Sequence, residues 1–288
     1  MAGATQKTRG RRPDFGTISG LLLASGCILG GFFIEEGRAV YLVGLSAGLI
    51  VLGGCLGATL VANPFSLVKG AFRRLGHVFT ETPEDRRDLI ESIIRYATQA
   101  RKQGIVSLEN DLPKIQDPFL CKALTLAVDG ADLQEIRSML ELETDVAEHE
   151  AELEAKVLES AGGYAPTIGI IGAVLGLIMV MRRLKEGPEK IGDGIATAFI
   201  ATIYGVGIAN LFFLPAAQKI KVRAQRESQR RELILEGVVS IVEGLNPKLI
   251  RTKLDAYDTG GPAPENGKKK RAATENELPE GVTDASQA

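Results

Sequence analysis

The chain has 288 residues, of which 45% are hydrophobic and 24% charged, and its formal net charge is −2. So small a charge argues against a nucleic-acid-binding protein, which would carry a strong positive field. Three cysteines cannot build a disulfide framework, and there are only two histidines, none at ligand spacing, so the sequence predicts neither a metal site nor a cofactor.

The apolar residues are concentrated in four segments, which predict four transmembrane helices. The segments cover residues 18–34, 40–62, 164–181 and 195–214, and none contains Asp, Glu, Lys, Arg or His. Each is long enough to cross a hydrocarbon core of about 30 Å at about 1.5 Å per residue. We therefore expect an all-α integral membrane protein with four transmembrane helices and a helical cytoplasmic domain between spans 2 and 3.

Basic residues in the short flanking segments predict the orientation. Lys and Arg are concentrated on the cytoplasmic side of membrane proteins. Here they precede the first span and follow the second and fourth, at 7–12, 69–74 and 219–226. Both termini are therefore expected to be cytoplasmic. The loop between spans 3 and 4 disagrees, since it carries four basic residues, but the opposite orientation would export a large charged domain.

The predicted organisation alternates membrane and cytoplasmic segments. In chain order these are a cytoplasmic N-terminus (1–14), spans 1 and 2 (15–62), a cytoplasmic helical domain (63–163), spans 3 and 4 (164–214), a cytoplasmic C-terminal helix (215–257) and a disordered tail (258–288). The tail is too polar to bury the apolar surface that folding requires. Its basic run at 268–271 is expected either to touch anionic lipid or to stay solvated.

The cytoplasmic domain has helical periodicity and no strand signal of useful length. Thr82, followed by a proline, marks the start of a helix over 84–102 that ends at Gly104. Another helix begins at Pro118, and a long one over 132–159 leads toward span 3.

Motifs of common enzyme classes are absent from the sequence. There is no Walker A loop, no Gly-x-Ser-x-Gly elbow, no His-Glu-x-x-His and no nucleophile–base pair, so we expect no catalytic residue and no enzyme. Glycines spaced by four occur instead in the apolar segments, where small residues let helices pack closely within or between subunits. These pairs are Gly26/Gly30, Gly44/Gly48, Gly53/Gly57 and Gly172/Gly176.

The fourth apolar segment carries polar side chains, among them Thr202, Tyr204 and Asn210. A threonine hydroxyl in a helix either bonds back to its own helix or lines a wet path, and the sequence leaves both open. No span carries a carboxylate, although proton relays at membrane depth normally use Asp, Glu or His. If this chain handles protons, a partner has to supply the titrating group.

Two prolines and one charged corner stand out near predicted helix ends. Pro166 and Pro215 lie at the membrane boundaries, where proline serves either the start and end of a helix or a hinge between bilayer and cytoplasmic domain. Arg101 and Glu109 flank a helix-turn-helix corner. Such charges are either a solvated surface or a means of steering a charged partner.

These features together resemble the MotA/PomA stator subunits of the bacterial flagellar motor. The order of two spans, a long helical segment, two more spans and a charged tail is similar, and the resemblance extends from about residue 15 to 254. The local matches are LIVLGG (49–54), RKQGIVSLE (101–109), APTIGIIG (165–172) and ATIYG (201–205), followed by Asn210 and Pro215.

The resemblance implies a role that would explain the missing carboxylate. Family members form a homo-oligomeric ring in the lipid bilayer of the bacterial inner membrane, with five A subunits around two B subunits. The peptidoglycan-binding, MotB-like B subunit supplies the ion-carrying Asp, and ion flow turns the ring against the rotor protein FliG. In this chain Arg101 and Glu109 match the charged positions that meet the rotor, Pro166 and Pro215 match the coupling prolines, and Thr202 matches the threonine facing the ion path.

One position bears on the choice of ion. Sodium-type members have Gly-Thr-Leu where this chain has Gly172-Ala173-Val174. Ala173 therefore offers Na⁺ one oxygen ligand fewer in the ion path. A proton can hop through water to a carboxylate without such ligands, so proton coupling is expected, although the PomA-like fourth span keeps sodium open.

Two other functions stay open at this point. TolQ/ExbB-like subunits use a similar proton-driven membrane engine for envelope tasks, but they are three-span proteins and lack a corner like that of residues 101–109. A membrane scaffold without ion conduction would account for the packing glycines but not for the two boundary prolines and Thr202 together.

Overall fold

The computed structural model describes residues 12–81, 86–183 and 188–258. The predicted helix start at Thr82, the basic residues before position 12 and the predicted disordered tail beyond residue 258 lie outside the described residues. Nearly all of the described chain is helical, which confirms the all-α fold class.

The helices follow one another with short connections. In the described residues the α-helices are α1 (Phe15–Ile34), α2 (Leu45–Gly48), α3 (Gly54–Ala62), α4 (Phe65–Val78), α5 (Arg86–Gln103), α6 (Pro118–Val128), α7 (Leu133–Arg183), α8 (Pro188–Ile208), α9 (Leu214–Val242) and α10 (Pro247–Asp258). Short 3₁₀ helices lie at Ala39–Leu42, Ile105–Asn110 and Leu112–Lys114. Two-residue strands β1 (Arg12–Pro13) and β2 (Thr80–Glu81) pair antiparallel, with Arg12 opposite Glu81 and Pro13 opposite Thr80.

Four stretches of helix are long and apolar enough to cross a membrane, which confirms the predicted number of spans. Span 1 is α1 and span 2 is Ala39–Ala62, whereas spans 3 and 4 are the apolar parts of much longer helical stretches, Leu133–Arg182 and Gly194–Val242. The apolar runs were visible in the sequence because side chains that contact lipid are apolar. Lipid also offers no hydrogen bonds to an exposed backbone, so each run has to form continuous helix.

The helices that contain spans 3 and 4 continue past the two prolines. Pro166 lies inside α7, a single helix of 51 residues, and Pro215 is followed by helix as far as Val242. The interpretation of these prolines as the start and end of a helix therefore does not hold, and each sits where a regular helix loses a backbone hydrogen bond. Helical turns of π type at Leu49–Gly53 and Ala209–Phe213 make α2–α3 and α8–α9 continuous.

The described residues form two compact units. The membrane unit contains the described residues up to position 81 together with 139–230. A buried cluster of this unit joins α3, α4, α7 and the start of α9. The helix α4 contributes apolar residues at three- and four-residue intervals, as an amphipathic helix does: Val68, Ala71, Leu75 and Val78, all buried.

The second unit contains the described residues of 86–138 and 231–258. Its core is built from α5, α6, the end of α9 and α10, with Ile93, Leu124, Ile234 and Leu254 fully buried. Gly237 allows α9 to approach α5, since a Cβ there would lie 2.8 Å from Ile93 Cγ2.

The helices α7 and α8 touch almost backbone to backbone. A Cβ on Gly169 would lie 2.9 Å from the carbonyl oxygen of Ala201, and one on Gly205 would lie 2.5 Å from that of Ala165. Gly172 is similarly close to Ala201 Cβ, at 2.8 Å. Lipid gives no hydrophobic drive for helices to associate, so van der Waals contact of this kind is what holds them together.

The predicted glycine pairs divide into two groups. The pair Gly172/Gly176 packs closely against α8, and Gly44/Gly48 packs against side chains of span 4. Cβ atoms built on the other two pairs meet no heavy atom of the described residues within 4 Å: Gly26, Gly30, Gly53 and Gly57. The open pairs therefore do not serve packing among the described residues of this chain.

Asp14 joins three separate segments of the membrane unit. Its carboxylate caps α1 by accepting a hydrogen bond from Thr17 N at 2.9 Å, and it also accepts from Lys219 Nζ and, at 3.1 Å, from Arg223 Nη2. Arg223 in turn donates to the carbonyl of Val78 at the end of α4. Asp14 is only 5% exposed. The hydrogen bond from Lys219 is the main reason that the pKa of Asp14 lies well below its usual range.

We predict that Asp14→Asn lowers the free energy of unfolding by about 1.5–3 kcal/mol, since a hydrogen bond to a charged group contributes about that much. The carboxylate contributes fully above the pKa of an unfolded Asp, about 3.9. Its contribution is lost as the pH falls through the lower, folded pKa. The deficit should therefore be constant from about pH 6 to 8 and shrink below about pH 4. Thermal denaturation of the detergent-solubilised protein measures it.

Glu91→Gln is the matched control for that change. Glu91 makes a two-point ion pair with Arg251, at 2.6 and 2.8 Å, but the side chains are 61% and 42% exposed. Water screens an exposed pair, so this variant should unfold almost as the wild type does. Equal stability of Asp14→Asn and Glu91→Gln would contradict the role given to Asp14.

We predict that Gly205→Ala prevents the close approach of α7 and α8, because the added methyl group would meet backbone atoms that cannot turn aside. Overpacking of this kind costs about 1–3 kcal/mol. Gly207→Ala adds the same methyl to the same helix where no described heavy atom lies within 4 Å. The amount of membrane-inserted protein that remains folded after mild heating should decrease for Gly205→Ala and should be unchanged or increase for Gly207→Ala. Equal survival would mean that the contact contributes nothing.

Candidate functional site

The charged corner predicted from sequence lies in the second unit, where α5 ends. Arg101 is in the last turn of α5, and Glu109 is in the 3₁₀ helix that follows. Between them Gly104 has φ +82°, a left-handed conformation that glycine adopts without strain. This conformation ends α5 and turns the chain.

Hydrogen bonds hold the corner in one shape. Ser107 donates to the carbonyl of Gly104 from its backbone N–H, at 3.2 Å, and from its hydroxyl, at 2.6 Å. Gln99 Nε2 donates to the carbonyl of Ser107 at 3.1 Å and to Asp111 Oδ2 at 2.9 Å. The hydrogen bond from Lys114, followed by that from Gln99, lowers the pKa of Asp111. The carboxylate therefore stays ionised and keeps both donors.

The corner presents its two predicted charges to the outside. Arg101 and Glu109 are exposed, while Leu108 beside them is 1% exposed and anchors the turn. Within the described part of the second unit, neither charge has an ion-pair or side-chain hydrogen-bond partner. Val106 between them is also exposed, at 62%. A rigid surface with unengaged charges of both signs is suited to binding a partner of complementary charge.

The predicted ion-path residues lie in the membrane unit, at the contact between α7 and α8. Thr202 follows Ala201, the residue on which Gly169 and Gly172 pack, and Ala173 follows Gly172. Both Thr202 and Ala173 are half-buried. The Thr202 hydroxyl donates to the carbonyl of Ala198 at 3.2 Å. Of the two arrangements that the sequence left open, the structure therefore has the bond to its own helix, and the oxygen remains able to accept a hydrogen bond.

The two prolines lie toward the same end of this contact, where Gly162 of α7 packs against Leu214. Pro166 is half-buried in α7, directly after Ala165, whose carbonyl oxygen faces Gly205. Pro215 is exposed and follows the π turn Ala209–Phe213 at the end of α8. Since proline has no N–H, the helix cannot keep its regular bonds there, and a π turn is a common adjustment.

Asn210 lies in the π turn and bonds back to the preceding part of the helix, an interaction that the sequence did not suggest. Its side-chain Nδ2 donates to the carbonyl of Val206 at 2.9 Å. The sequence singled out Asn210 as a polar residue in an apolar segment and as part of the family resemblance. The available signal for its bond was its position one helical turn after Val206, since an Asn side chain can bond to a backbone carbonyl of the preceding turn.

Neither region has the composition of a metal centre within the described residues. Among the described residues no group of His, Cys, Asp and Glu is arranged to hold a metal ion. In the sequence, spans 3 and 4 contain no ionisable side chain between residues 164 and 181 or between 195 and 214, apart from two tyrosines. These spans can therefore form the wall of a path for an ion but cannot carry the ion's counter-charge.

Comparisons with known proteins agree with this arrangement. Residues 18–104 match the family model described as Motility protein A N-terminal, and residues 111–233 match the MotA/TolQ/ExbB proton channel family. Motility protein A of Helicobacter pylori is 32% identical over 248 residues, which are 86% of this chain and 96% of that protein. Chemotaxis protein PomA of Vibrio alginolyticus is 30% identical, covering 85% of this chain and 95% of its own length.

A solved structure gives the same result at the level of the fold. The chain superposes on a structure described as that of C. jejuni MotAB with a TM-score of 0.81 and 31% identity, covering 85% of this chain and 95% of that one. The channel family includes TolQ and ExbB, but the separate match to the Motility protein A N-terminal model and the relatives named above distinguish this chain from them. The chain belongs to the MotA/PomA family of flagellar motor stator subunits.

Proposed function

We propose that this stator subunit forms an ion channel together with a MotB-like, peptidoglycan-binding subunit, and that ion flow through the channel turns it against the rotor. The observation that carries the proposal is the absence of any carboxylate from its four apolar segments. A proton crossing the bilayer needs a titrating group at membrane depth. In the proposed complex that group is an Asp on the span of the MotB-like subunit, as the similarity to a MotAB structure supports.

The exposed apolar surface supports assembly into a ring in a bilayer. The helix α1 has no buried residue within the described chain, and large apolar side chains such as Ile170 and Phe199 on spans 3 and 4 are 58% and 68% exposed. Lipid or another subunit has to cover such surface. We propose a ring of five such chains around two MotB-like subunits in the bacterial inner membrane, with both termini cytoplasmic.

The proposed engine converts a change of charge into movement. One elementary charge falling through 100 mV releases about 2.3 kcal/mol. Protonation removes the charge of the partner's Asp and so changes which position of the surrounding ring it prefers. In this chain Thr202 and Ala173 line the wall that the Asp passes, and the backbone hydrogen bonds that Pro166 and Pro215 cannot donate let spans 3 and 4 respond.

The side chains of the proposed wall favour coupling to protons over coupling to sodium ions. Sodium prefers several oxygen ligands, whereas Ala173 contributes only a methyl group to the path. The hydroxyl of Thr202 already donates to Ala198, but a hydroxyl oxygen can still accept a hydrogen bond from water. A single hydroxyl oxygen and water are enough for a proton to hop to a carboxylate.

The corner of the second unit is the proposed contact with the rotor. Arg101 and Glu109 present opposite charges from a turn whose backbone is fixed by hydrogen bonds, so a push against complementary charges on a rotor protein of the FliG type is transmitted to the rest of the unit. Charged contacts of this kind form and break quickly, since exposed charges gain little net affinity but steer the approach.

Motility of a deletion strain tests the proposed function. We predict that a strain lacking this chain, and lacking any second stator pair, assembles flagella of normal number that do not rotate, and that the wild-type gene restores rotation. Electron microscopy counts the filaments, and tracking of cells measures swimming. Unchanged swimming, with an envelope defect instead, would contradict the stator role.

The complemented strain also tests which ion drives rotation. Swimming speed should be unchanged when potassium replaces sodium at fixed pH and should fall to zero with a protonophore. Speed that follows external sodium at fixed pH would contradict proton coupling while leaving the stator role intact.

We predict that Arg101→Asp lowers torque, because it places a like charge against the rotor surface that Arg101 attracts. Double-mutant cycles give about 0.2–1 kcal/mol for an exposed charge pair, so the loss should be partial, and a compensating charge reversal on the rotor should recover part of it. Lys248→Asp makes the same charge change at another exposed position of the second unit and should swim normally. Normal swimming by Arg101→Asp would mean that this contact is redundant or misplaced.

A further inference from the structure

The hydroxyl of Tyr204 connects span 4 to the beginning of span 2. It donates to the carbonyl of Leu42 at 2.6 Å and accepts from the backbone N–H of Gly44 at 3.2 Å. These backbone groups flank Val43 in an extended break between the 3₁₀ helix Ala39–Leu42 and α2. Unsatisfied backbone groups are costly in a membrane. One hydroxyl thus satisfies both a donor and an acceptor of span 2.

The ring of Tyr204 fits a surface of small residues on span 2. A Cβ on Gly48 would lie 3.5 Å from Cε2 of the ring. Ala47 and Val51 are fully buried together with Ala201, and Tyr204 packs against this cluster. The glycine and alanine at these positions leave the space that the ring occupies, so spans 2 and 4 are joined by shape as well as by hydrogen bonds.

Span 4 is therefore held from two directions. Ala201 and Gly205 contact span 3. A Cβ built on Gly169 or Gly172 of span 3 would come within 3 Å of Ala201, and one built on Gly205 would come within 3 Å of the carbonyl oxygen of Ala165. Tyr204, one residue before Gly205, contacts span 2, with which Ala201 is also buried. Successive residues of an α-helix are about 100° apart around its axis, so two contacts on different sides fix the rotation of the helix. The direction in which Thr202 points depends on that rotation.

We propose that Tyr204 is a positioning residue of the ion path: its hydroxyl fixes the rotation of span 4 about its axis, and thereby the direction of Thr202, by bonding to the backbone of span 2. The inference rests on the proposed function in one respect, the expectation that Thr202 faces the ion. It also means that a movement of span 4 carries the beginning of span 2 with it.

Tyr204→Phe tests this role, because it keeps the ring and removes only the hydroxyl. Tyr164→Phe is the matched control, since Tyr164 is half-buried in the same unit and its hydroxyl has no hydrogen-bond partner among the described residues. Each variant is expressed in the deletion strain, and a bead on a shortened filament records rotation while stator units enter the motor one by one. The height of each speed step reports the output of one unit, and the number of steps reports assembly.

We expect Tyr204→Phe to lower the step height by about twofold or more, since small misplacements of a reacting group cost rate, with the number of steps unchanged. Tyr164→Phe should match the wild type in both. Equal step height in Tyr204→Phe and wild type would overturn the proposal. If Tyr204→Phe gave no steps while Tyr164→Phe assembled, a folding role would replace the positioning role.

A double variant separates positioning from a general loss of order. If Tyr204 acts through Thr202, Tyr204→Phe should add almost nothing to the loss caused by Thr202→Val, because contributions of coupled residues are not additive. Losses that multiply would overturn the proposal. Failure of the stator role itself would be recognised separately, because the deletion strain would then swim.

Discussion

The backbone contact between α7 and α8 is the constraint on which the membrane unit depends. Lipid tails are as apolar as the helices, so close packing must supply the attraction that water would otherwise drive. Gly169 and Gly205 allow it, because a side chain on either would reach a backbone carbonyl of the other helix. This contact also determines where the residues expected to line the ion path lie, because Thr202 is adjacent to Ala201 and Ala173 is adjacent to Gly172. Their positions are therefore set by packing and not by any charge.

The same unit confines flexibility to a short part of span 4. On one side of the π turn Ala209–Phe213, Gly205 holds the helix against α7. On the other side, Lys219 and Arg223 are bound to the buried Asp14, and Lys221 pairs with Glu159 of α7 at 2.7 Å. The helix between these anchors contains Pro215 and the π turn, where regular backbone bonding is interrupted. Bending in response to an ion is therefore expected there and not elsewhere in span 4.

The sequence predicted what depends on local composition and missed what depends on distant partners. Four apolar segments were enough to find four spans, because a bilayer requires about 20 consecutive apolar residues of helix. The full length of α7 was missed, since the change from charged to apolar residues near Pro166 imitates a boundary although the helix continues through it. The partners of Asp14 lie 205 and 209 residues away along the chain, and no spacing rule reaches that far. At the candidate site the corner was visible in sequence, because Gly104 between Arg101 and Glu109 is a local signal. The partner of Tyr204 was not visible, although the small residues of span 2 that receive it are.

A neutral wall has a mechanical consequence in the proposed stator. With no fixed charge in spans 3 and 4, the interaction between wall and partner changes sharply when the partner's carboxylate is protonated, because a low-dielectric surrounding disfavours the charged form. A fixed positive charge in the wall would instead hold the carboxylate in one place and stop the cycle. The affinity of the wall for an ion can therefore be changed by substituting neutral groups alone, such as the methyl of Ala173 or the hydroxyl of Thr202. Such substitutions change the number of oxygen ligands but leave intact the glycine contact that positions both residues.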